Sequence, residues 1–293
     1  MSKTVQFCPL CSSDRNKFFE QSKFRGREIV NRICLNCGLV FQSPCMDEDE
    51  AAAFYAAEYR LLNEGSIAPT ARNISIQHAR ADSLAGFARP VIDHLDSHLD
   101  IGCSMGILLG HFEKEYHCHS VGIEPGEAHR KVARQAGLTV YASLDELEQN
   151  EHTRFSLISM AHVLEHLTDP VGYLVHLRET LLDPASWLLL EVPNLYAHDS
   201  FETAHLVAYS AHTLQQTLRK AGFEVVRLEK HGRPRSTWLP LYITLLARPG
   251  SGTQPTFRLR PERWVALKRQ LGMLSRRMLE RLFPGRVWDR NEE

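Results

Sequence analysis

From His98 to Ala247, short apolar runs alternate with stretches in which apolar residues recur every three or four positions. The runs predict strands at Ser97–Ile101, Ser120–Glu124, Thr139–Tyr141, Phe155–Met160, Trp187–Val192, Phe223–Leu228 and Leu241–Ala247. The periodic stretches predict helices at Ile107–Glu115, Ala128–Ala136, Asp169–Leu182 and Ala211–Ala221. Strands and helices in alternation, closing on two strands with no helix between them, predict an α/β fold: a mostly parallel sheet with one antiparallel edge strand. Before this core only Ile29-Val30 and Leu39–Phe41 read as short β segments. After it, Trp264, Leu267, Leu271, Leu274, Met278 and Leu282 lay one apolar stripe along a helix within Arg258–Phe283. The expected organisation is 1–45, a small metal-held unit; 46–96, a linker and helical lead-in; 97–250, the α/β domain; and 251–293, a helical tail.

The first unit is too short to bury much of a core, and its cysteines suggest what replaces one. Cys8-Pro-Leu-Cys11 and Cys34-Leu-Asn-Cys37 are two CxxC pairs, the spacing with which a tetrahedral Zn²⁺ gathers four thiolates from two tight turns. Four protein ligands leave no open position, so the expected zinc is structural. Buried or redox cysteines are the alternative reading. Cys45, Cys103 and Cys118 stand alone and read as small apolar residues. The longest apolar runs fall well short of the ~20 residues of a membrane span, and Met1-Ser-Lys-Thr4 opens no apolar leader. The expectation is a cytoplasmic protein.

Charge is unevenly spread. Lys and Arg outnumber Asp and Glu by 7 to 3 over residues 1–45 and by 10 to 5 over 251–293, whereas the middle has 17 against 27. An acidic middle disfavours nucleic acid as a partner of the core.

Ser97–Ile101 runs into Gly102-Cys-Ser-Met-Gly106 and then a helix, the strand, glycine turn and helix order that brings backbone against a nucleotide-like ligand. The next strand ends in Glu124, suited to ribose hydroxyls. Leu99-Asp-Ile-Gly-Cys-Ser-Met-Gly106, Gly122-Ile-Glu-Pro125 and Phe155-Ser-Leu-Ile-Ser-Met-Ala-His-Val-Leu-Glu-His-Leu-Thr-Asp-Pro170 closely resemble the successive motifs of class I S-adenosylmethionine-dependent methyltransferases. Ala204-His-Leu-Val-Ala-Tyr-Ser210, leading into Ala221-Gly-Phe-Glu-Val225, resembles the region after their fifth strand. The cysteine pairs with Pro44 and Phe54-Tyr55…Tyr59 are similar to bacterial members with a cysteine-rich N-terminus. The resemblance covers about residues 5–250. It implies a Rossmann-like seven-stranded methyltransferase sheet behind a zinc ribbon. It also implies that Asp100, Gly102, Ser104 and Gly106 cradle the methionine end of S-adenosylmethionine, Glu124 the ribose, and Met160 with His162 the sulfonium pocket. Ser104 stands where the usual loop has its middle glycine. A nicotinamide-binding Rossmann domain would want a fuller GxGxxG turn and leaves His162–Pro170 without a role.

His162-Val-Leu-Glu-His166 also fits the inverted zinc-peptidase pattern HxxEH, an alternative that the nucleotide-binding layout around it disfavours. Methyl transfer needs an acceptor atom in line with the methyl group and often a base for its proton. His166 and His205 are the candidate catalytic residues, with Glu165, Asn194, Tyr196, His198, Glu202 and Tyr209 near the same strand ends. Some ribbon-bearing relatives methylate sugar carbon and carry His-Glu-His-Leu where this chain has Thr203-Ala-His-Leu206, which leaves C-, O- and N-methylation open. The expected acceptor is a saccharide or another small molecule. An RNA methyltransferase is the alternative, drawn from Arg15, Lys17, Lys23, Arg25, Arg27 and Arg32 with Phe18, Phe19 and Phe24 between them. A non-catalytic cofactor-binding module is another. In the tail, Lys268, Arg269, Arg276, Arg277 and Arg281 supply a basic side to the striped helix. Two readings stand: the stripe packs on the core or a second subunit while the arginines face water, or it docks on an anionic membrane or acidic partner.

Overall fold

The apolar runs assemble into one seven-stranded sheet in the computed structural model, which describes residues 3–46, 50, 54, 69–199, 201–250 and 258–289. Its strands are β4 (Ser97–Ile101), β5 (His119–Ile123), β6 (Thr139–Tyr141), β7 (Phe155–Ala161), β8 (Leu182–Pro193), β10 (Phe223–His231) and β11 (Tyr242–Pro249), in spatial order β10-β11-β8-β7-β4-β5-β6. β6, β5, β4, β7 and β8 pair in parallel. β11 is antiparallel to both β8 and β10, so the antiparallel strand lies one place inside the edge rather than at it. The reason is apolarity: β11 is buried over Tyr242–Ala247, whereas β10 alternates polar and apolar residues as a half-covered edge does.

Helices cover both faces. α1 (Ala71–Ala88) and α2 (Ile107–Tyr116) place Leu84, Phe87, Leu108 and Phe112 against Leu157, Leu189 and Leu246. On the other face α5 (Pro170–His176) and α6 (Ala211–Lys220) place Leu174, Leu214 and Leu218 over Ile158, Leu188, Leu190 and Leu245. α3 (Glu127–Gln135) and α4 (Leu144–Asn150) flank the β5–β6 side. The helix expected to reach Leu182 ends earlier: α5 passes into a wider π-type turn at Leu177–Leu181, and β8 starts at Leu182, before Trp187.

The cysteine-bearing unit forms a second sheet. β1 (Asn16–Phe24) and β2 (Arg27–Cys34) make a hairpin about Arg25-Gly26, both in the left-handed region, and β3 (Val40–Gln42) pairs with β2. The fourth strand comes from the core: β9 (Val207–Ala208) pairs antiparallel with β3, Val40 opposite Ala208 and Phe41 opposite Val207. Cys8, Leu10, Cys34, Cys37, Leu39 and Phe41 share one apolar cluster with the sheet residues. Lys220 Nζ donates to the Leu10 carbonyl at 2.6 Å.

The tail helix α7 (Val265–Leu282) lies against the loop after β8, and the outcome for its stripe is the reverse of packing. Val265 and Arg269 are buried, while Trp264, Leu267, Leu271, Leu274, Met278 and Leu282 are 49–75 % exposed. Arg269 pairs with Glu20 at 2.9 Å and donates to the carbonyls of Leu195 and His198; Arg276 binds Asp199, Glu280 and the Ala197 carbonyl. A Cβ on Gly272 would meet the Tyr196 carbonyl oxygen at 2.0 Å, so this glycine lets the helix lie flush on the loop. The Tyr55…Tyr59 segment lies outside the described residues.

Phe41 is fully buried where the two sheets join. Phe41→Ala is expected to cost about 3–5 kcal/mol. In guanidinium chloride it should lower a single transition followed by both near-UV and far-UV signals; two separated transitions would contradict the shared core.

Candidate functional site

At the carboxyl end of β4 the chain turns sharply. Gly102, Ser104 and Gly106 all have φ between 52° and 78°, the left-handed region. A Cβ on Gly102 would lie 2.6 Å from Val163 Cγ2, and one on Gly106 2.2 Å from Leu138 Cδ1. Ser104 occupies that region at a cost a glycine would avoid, about 1–2 kcal/mol. Its hydroxyl accepts from Gln77 Nε2 at 2.8 Å and bonds His129 Nδ1 at 2.7 Å, which ties the turn to α1 and α3. Glu124, buried at the end of β5, accepts from the backbone N–H of Ser104 at 3.0 Å and of Gly126 at 2.7 Å. Turn and carboxylate are therefore one hydrogen-bonded unit.

Asp100, one strand over, is buried and accepts from Ser159 Oγ at 2.6 Å; Ser159 in turn bonds His98 Nε2 at 2.8 Å. Burial pushes the Asp100 carboxyl up to about 7, against the bond from Ser159 and with the Glu124 charge adding to the rise. Burial also pushes His98 down to about 3, so its imidazole is neutral.

A second cluster stands where β7 and β8 end. Glu191 is buried in β8, and four elements converge on it: Arg80 of α1 at 3.0 Å, His162 at 3.2 Å, His231 of β10 at 3.3 Å and Thr244 of β11 at 2.9 Å. Burial alone would raise the Glu191 pKa, but the bonds from His162 and His231 and the Arg80 charge outweigh it and hold the carboxyl well below the usual range. His162 is also 3.3 Å from Glu165 and meets the Tyr242 ring edge-on. Burial and the Arg80 charge press its pKa down, yet the two carboxylates prevail and raise it. Glu165, raised by burial, is carried down to about 2 by the bond from His162 and the charges of His166 and His205. Burial takes His166 down to about 4. Its Nδ1 faces the Ala204 carbonyl at 2.8 Å, so Nδ1 bears the proton and Nε2 the lone pair. The His166 and His205 rings meet at 4.9 Å, and Glu165, His166 and His205 bring ligand atoms within 4.8 Å of one another. Glu165, His198, Phe201, His205 and Arg269 line a small pocket here.

The Sγ atoms of Cys8, Cys11, Cys34 and Cys37 also lie within 4.8 Å of one another, with Cys8–Cys37 and Cys11–Cys34 each at 3.5 Å.

Residues 73–228 match the profile of the methyltransferase domain. The chain belongs to that family. The methyltransferase is 37% identical over 81 residues to a ubiquinone biosynthesis O-methyltransferase of Hahella chejuensis; the match takes in 25% of this chain and only 34% of that protein. Its fold is similar to that of the Burkholderia thailandensis 1,6-didemethyltoxoflavin-N1-methyltransferase, solved with its acceptor and S-adenosylhomocysteine (TM-score 0.57, 18% identity, 79% of this chain and 100% of that one). It is likewise similar to the [4+2]-cyclase SpnF (TM-score 0.53, 17% identity, 71% and 99%). A cyclase on this fold is a reminder that the sheet alone does not select a reaction.

In the methyltransferase, Asp100, Gly102, Ser104, Gly106 and Glu124 come together at the β4 and β5 ends, and Met160 is buried at the β7 end. The His162 side chain lies between Glu165 and Glu191, at 3.3 and 3.2 Å. Tyr196 donates to Glu262 at 2.7 Å and Asn194 donates to the Pro240 carbonyl at 2.8 Å, so both bind neighbouring segments. Sequence reasoning missed Glu191, Arg80 and His231. For Glu191 a signal was available, a lone carboxylate within Leu188-Leu-Leu-Glu-Val192 that must find partners; for Arg80, on an outwardly polar helix, there was none.

Unfolded, His98 takes a proton near its ordinary 6.5; folded, only near 3. Between these values it binds more protons when unfolded, so its contribution to stability falls with falling pH, by about 1.4 kcal/mol per pH unit. Asp100, with its raised pKa, contributes the opposite slope over part of the range, so the effect is read as a difference. His98→Gln should lose the His98 slope, the gap to wild type narrowing by that amount per unit from pH 6.5 to 4. Parallel curves for the two proteins would contradict a buried neutral His98.

Proposed function

We propose that the chain transfers a methyl group from S-adenosylmethionine to a saccharide or other small-molecule acceptor at the β7–β8 cluster. The observation that carries this is the hydrogen-bonded unit of Glu124 and the left-handed 102–106 turn, with Gly102 closed against Val163 of the segment that carries His162, Glu165 and His166. The residues fit the cofactor. Gly102 and Gly106 admit no side chain, and a carboxylate accepts about four hydrogen bonds, compatible with ribose hydroxyls on Glu124 in addition to its two amides. Asp100, held near neutral-pH titration by burial, would ionise beside the methionine ammonium. When bound, S-adenosylmethionine supplies an electrophilic methyl on sulfur.

The chain's own part is to orient the acceptor and manage its proton. His166 is neutral at physiological pH, with its lone pair on Nε2, so it can take the proton an oxygen or nitrogen acceptor loses as the new bond to methyl forms. His205 packs against the His166 ring and lines the small pocket with Glu165 and His198. His162, held between Glu165 and Glu191, would hold the wall rather than act as base.

Glu124→Ala should weaken S-adenosylmethionine binding by about 1–3 kcal/mol in calorimetry, and labelled cofactor with cell extract should pass methyl to the small-molecule fraction. Label entering RNA alone, or unchanged affinity in the variant, would overturn the assignment.

Residues 1–45 are read as a zinc ribbon. A Zn–S distance of 2.3 Å in a tetrahedron requires sulfurs about 3.8 Å apart, near the 3.5 Å pairs seen here. One zinc per chain is expected by elemental analysis, lost together with part of the thermal stability in Cys34→Ser; unchanged metal content in that variant would exclude the four-thiolate site.

A further inference from the structure

The outward stripe of α7 needs an occupant. The helix advances about 100° per residue, so Val265, Arg269, Gly272 and Arg276 share the face turned to the 195–199 loop, and Trp264, Leu267, Leu271, Leu274, Met278 and Leu282 lie opposite it. At the far end, exposed Phe283 packs on exposed Trp238, ring centroids 5.1 Å apart, and extends the patch with aromatic surface. The inversion is built in: Arg269 and Arg276, bound to carbonyls of the 195–199 loop and to the carboxylates of Glu20 and Asp199, turn the apolar side toward solvent.

The charge around the stripe is of one sign. Arg263, Arg277 and Arg281 are exposed along one flank, Lys268 along the other and Arg286 just beyond the end. The two acids of this stretch are engaged: Glu262 is half-buried against Tyr196, Ser210 and Lys268, and Glu280 pairs with Arg276. A second copy brought face to face on this helix would set arginines against arginines with no exposed carboxylate on α7 to meet them. An anionic bilayer surface offers acyl chains for the stripe, phosphates for the rim, and an interface in which Trp264 and Trp238 are at home. No helix among the described residues is long and apolar enough to cross a membrane, so the contact is a surface one.

We propose that α7 docks flat on an anionic lipid bilayer, its apolar stripe in the headgroup–acyl boundary. Arg269 on its inner side lines the acceptor pocket, so docking sets that pocket about one helix diameter, ~10 Å, from the lipid. The docking does not depend on the acceptor's identity.

The test is flotation of the full-length protein with phosphatidylcholine vesicles containing ~30 mol% phosphatidylglycerol, against phosphatidylcholine alone. Wild type is expected to float with the anionic vesicles only, and less as salt rises. Leu271→Glu with Leu274→Glu should cut the floating fraction by about tenfold or more while the thermal midpoint stays unchanged, since both side chains are exposed. Arg277→Glu with Arg281→Glu, which leaves the stripe intact, should weaken flotation on anionic vesicles as well. Wild type that stays with the unbound fraction overturns the proposal, as does a leucine variant that floats like wild type. A dimer seen by light scattering and dissolved by the leucine substitutions, with no flotation, assigns the face to a second copy instead.

Discussion

A carboxylate inside a sheet cannot go unpaired: its desolvation in a dry interior costs several kcal/mol, and only charge and hydrogen bonds offset it. Glu191 is that carboxylate, and the carboxyl edge of the sheet is organised about it. Arg80 from α1, His162 after β7, His231 from β10 and Thr244 from β11 converge there. The inward position of β11 sets Thr244 directly opposite Glu191. His162, drawn in, aligns with Glu165, and Glu165 holds the company of His166 and His205. The pocket proposed for the acceptor is thus the outer layer of a network whose inner layer is structural.

The cofactor turn obeys a different constraint, lack of space. Gly102 and Gly106 sit where a side chain would collide with Val163 and Leu138, and Ser104 is tolerated because Gln77 and His129 grip its hydroxyl. The serine that looked like a departure from the family pattern is a joint between the turn, α1 and α3.

The small sheet and the tail hold the acceptor side from outside. β9 leaves the core to complete the cysteine-bearing sheet, and α7 clamps the 195–199 loop through Arg269 and Arg276. Arg269 of the tail lines the pocket directly, and β9, the strand that pairs with β3, contributes Val207 and Ala208 to it.

Much of this was determined by the sequence alone, because it rests on local rules. Alternating apolar runs specify strands and helices, two CxxC pairs gather four sulfurs, and the Leu99–Gly106 and Gly122–Pro125 motifs carry their family with them. The tertiary structure alone decided what depends on partners distant in the chain. Nothing local says that Arg80 will reach Glu191, that Val207 will pair with Phe41, or that β11 will slip between β8 and β10. The tail makes the physical reason plain. Its periodicity defined an apolar face and a basic face but not which one turns inward, and that choice depends on carbonyls and carboxylates of Glu20, Leu195, Ala197, His198 and Asp199, far off in the chain, that receive Arg269 and Arg276.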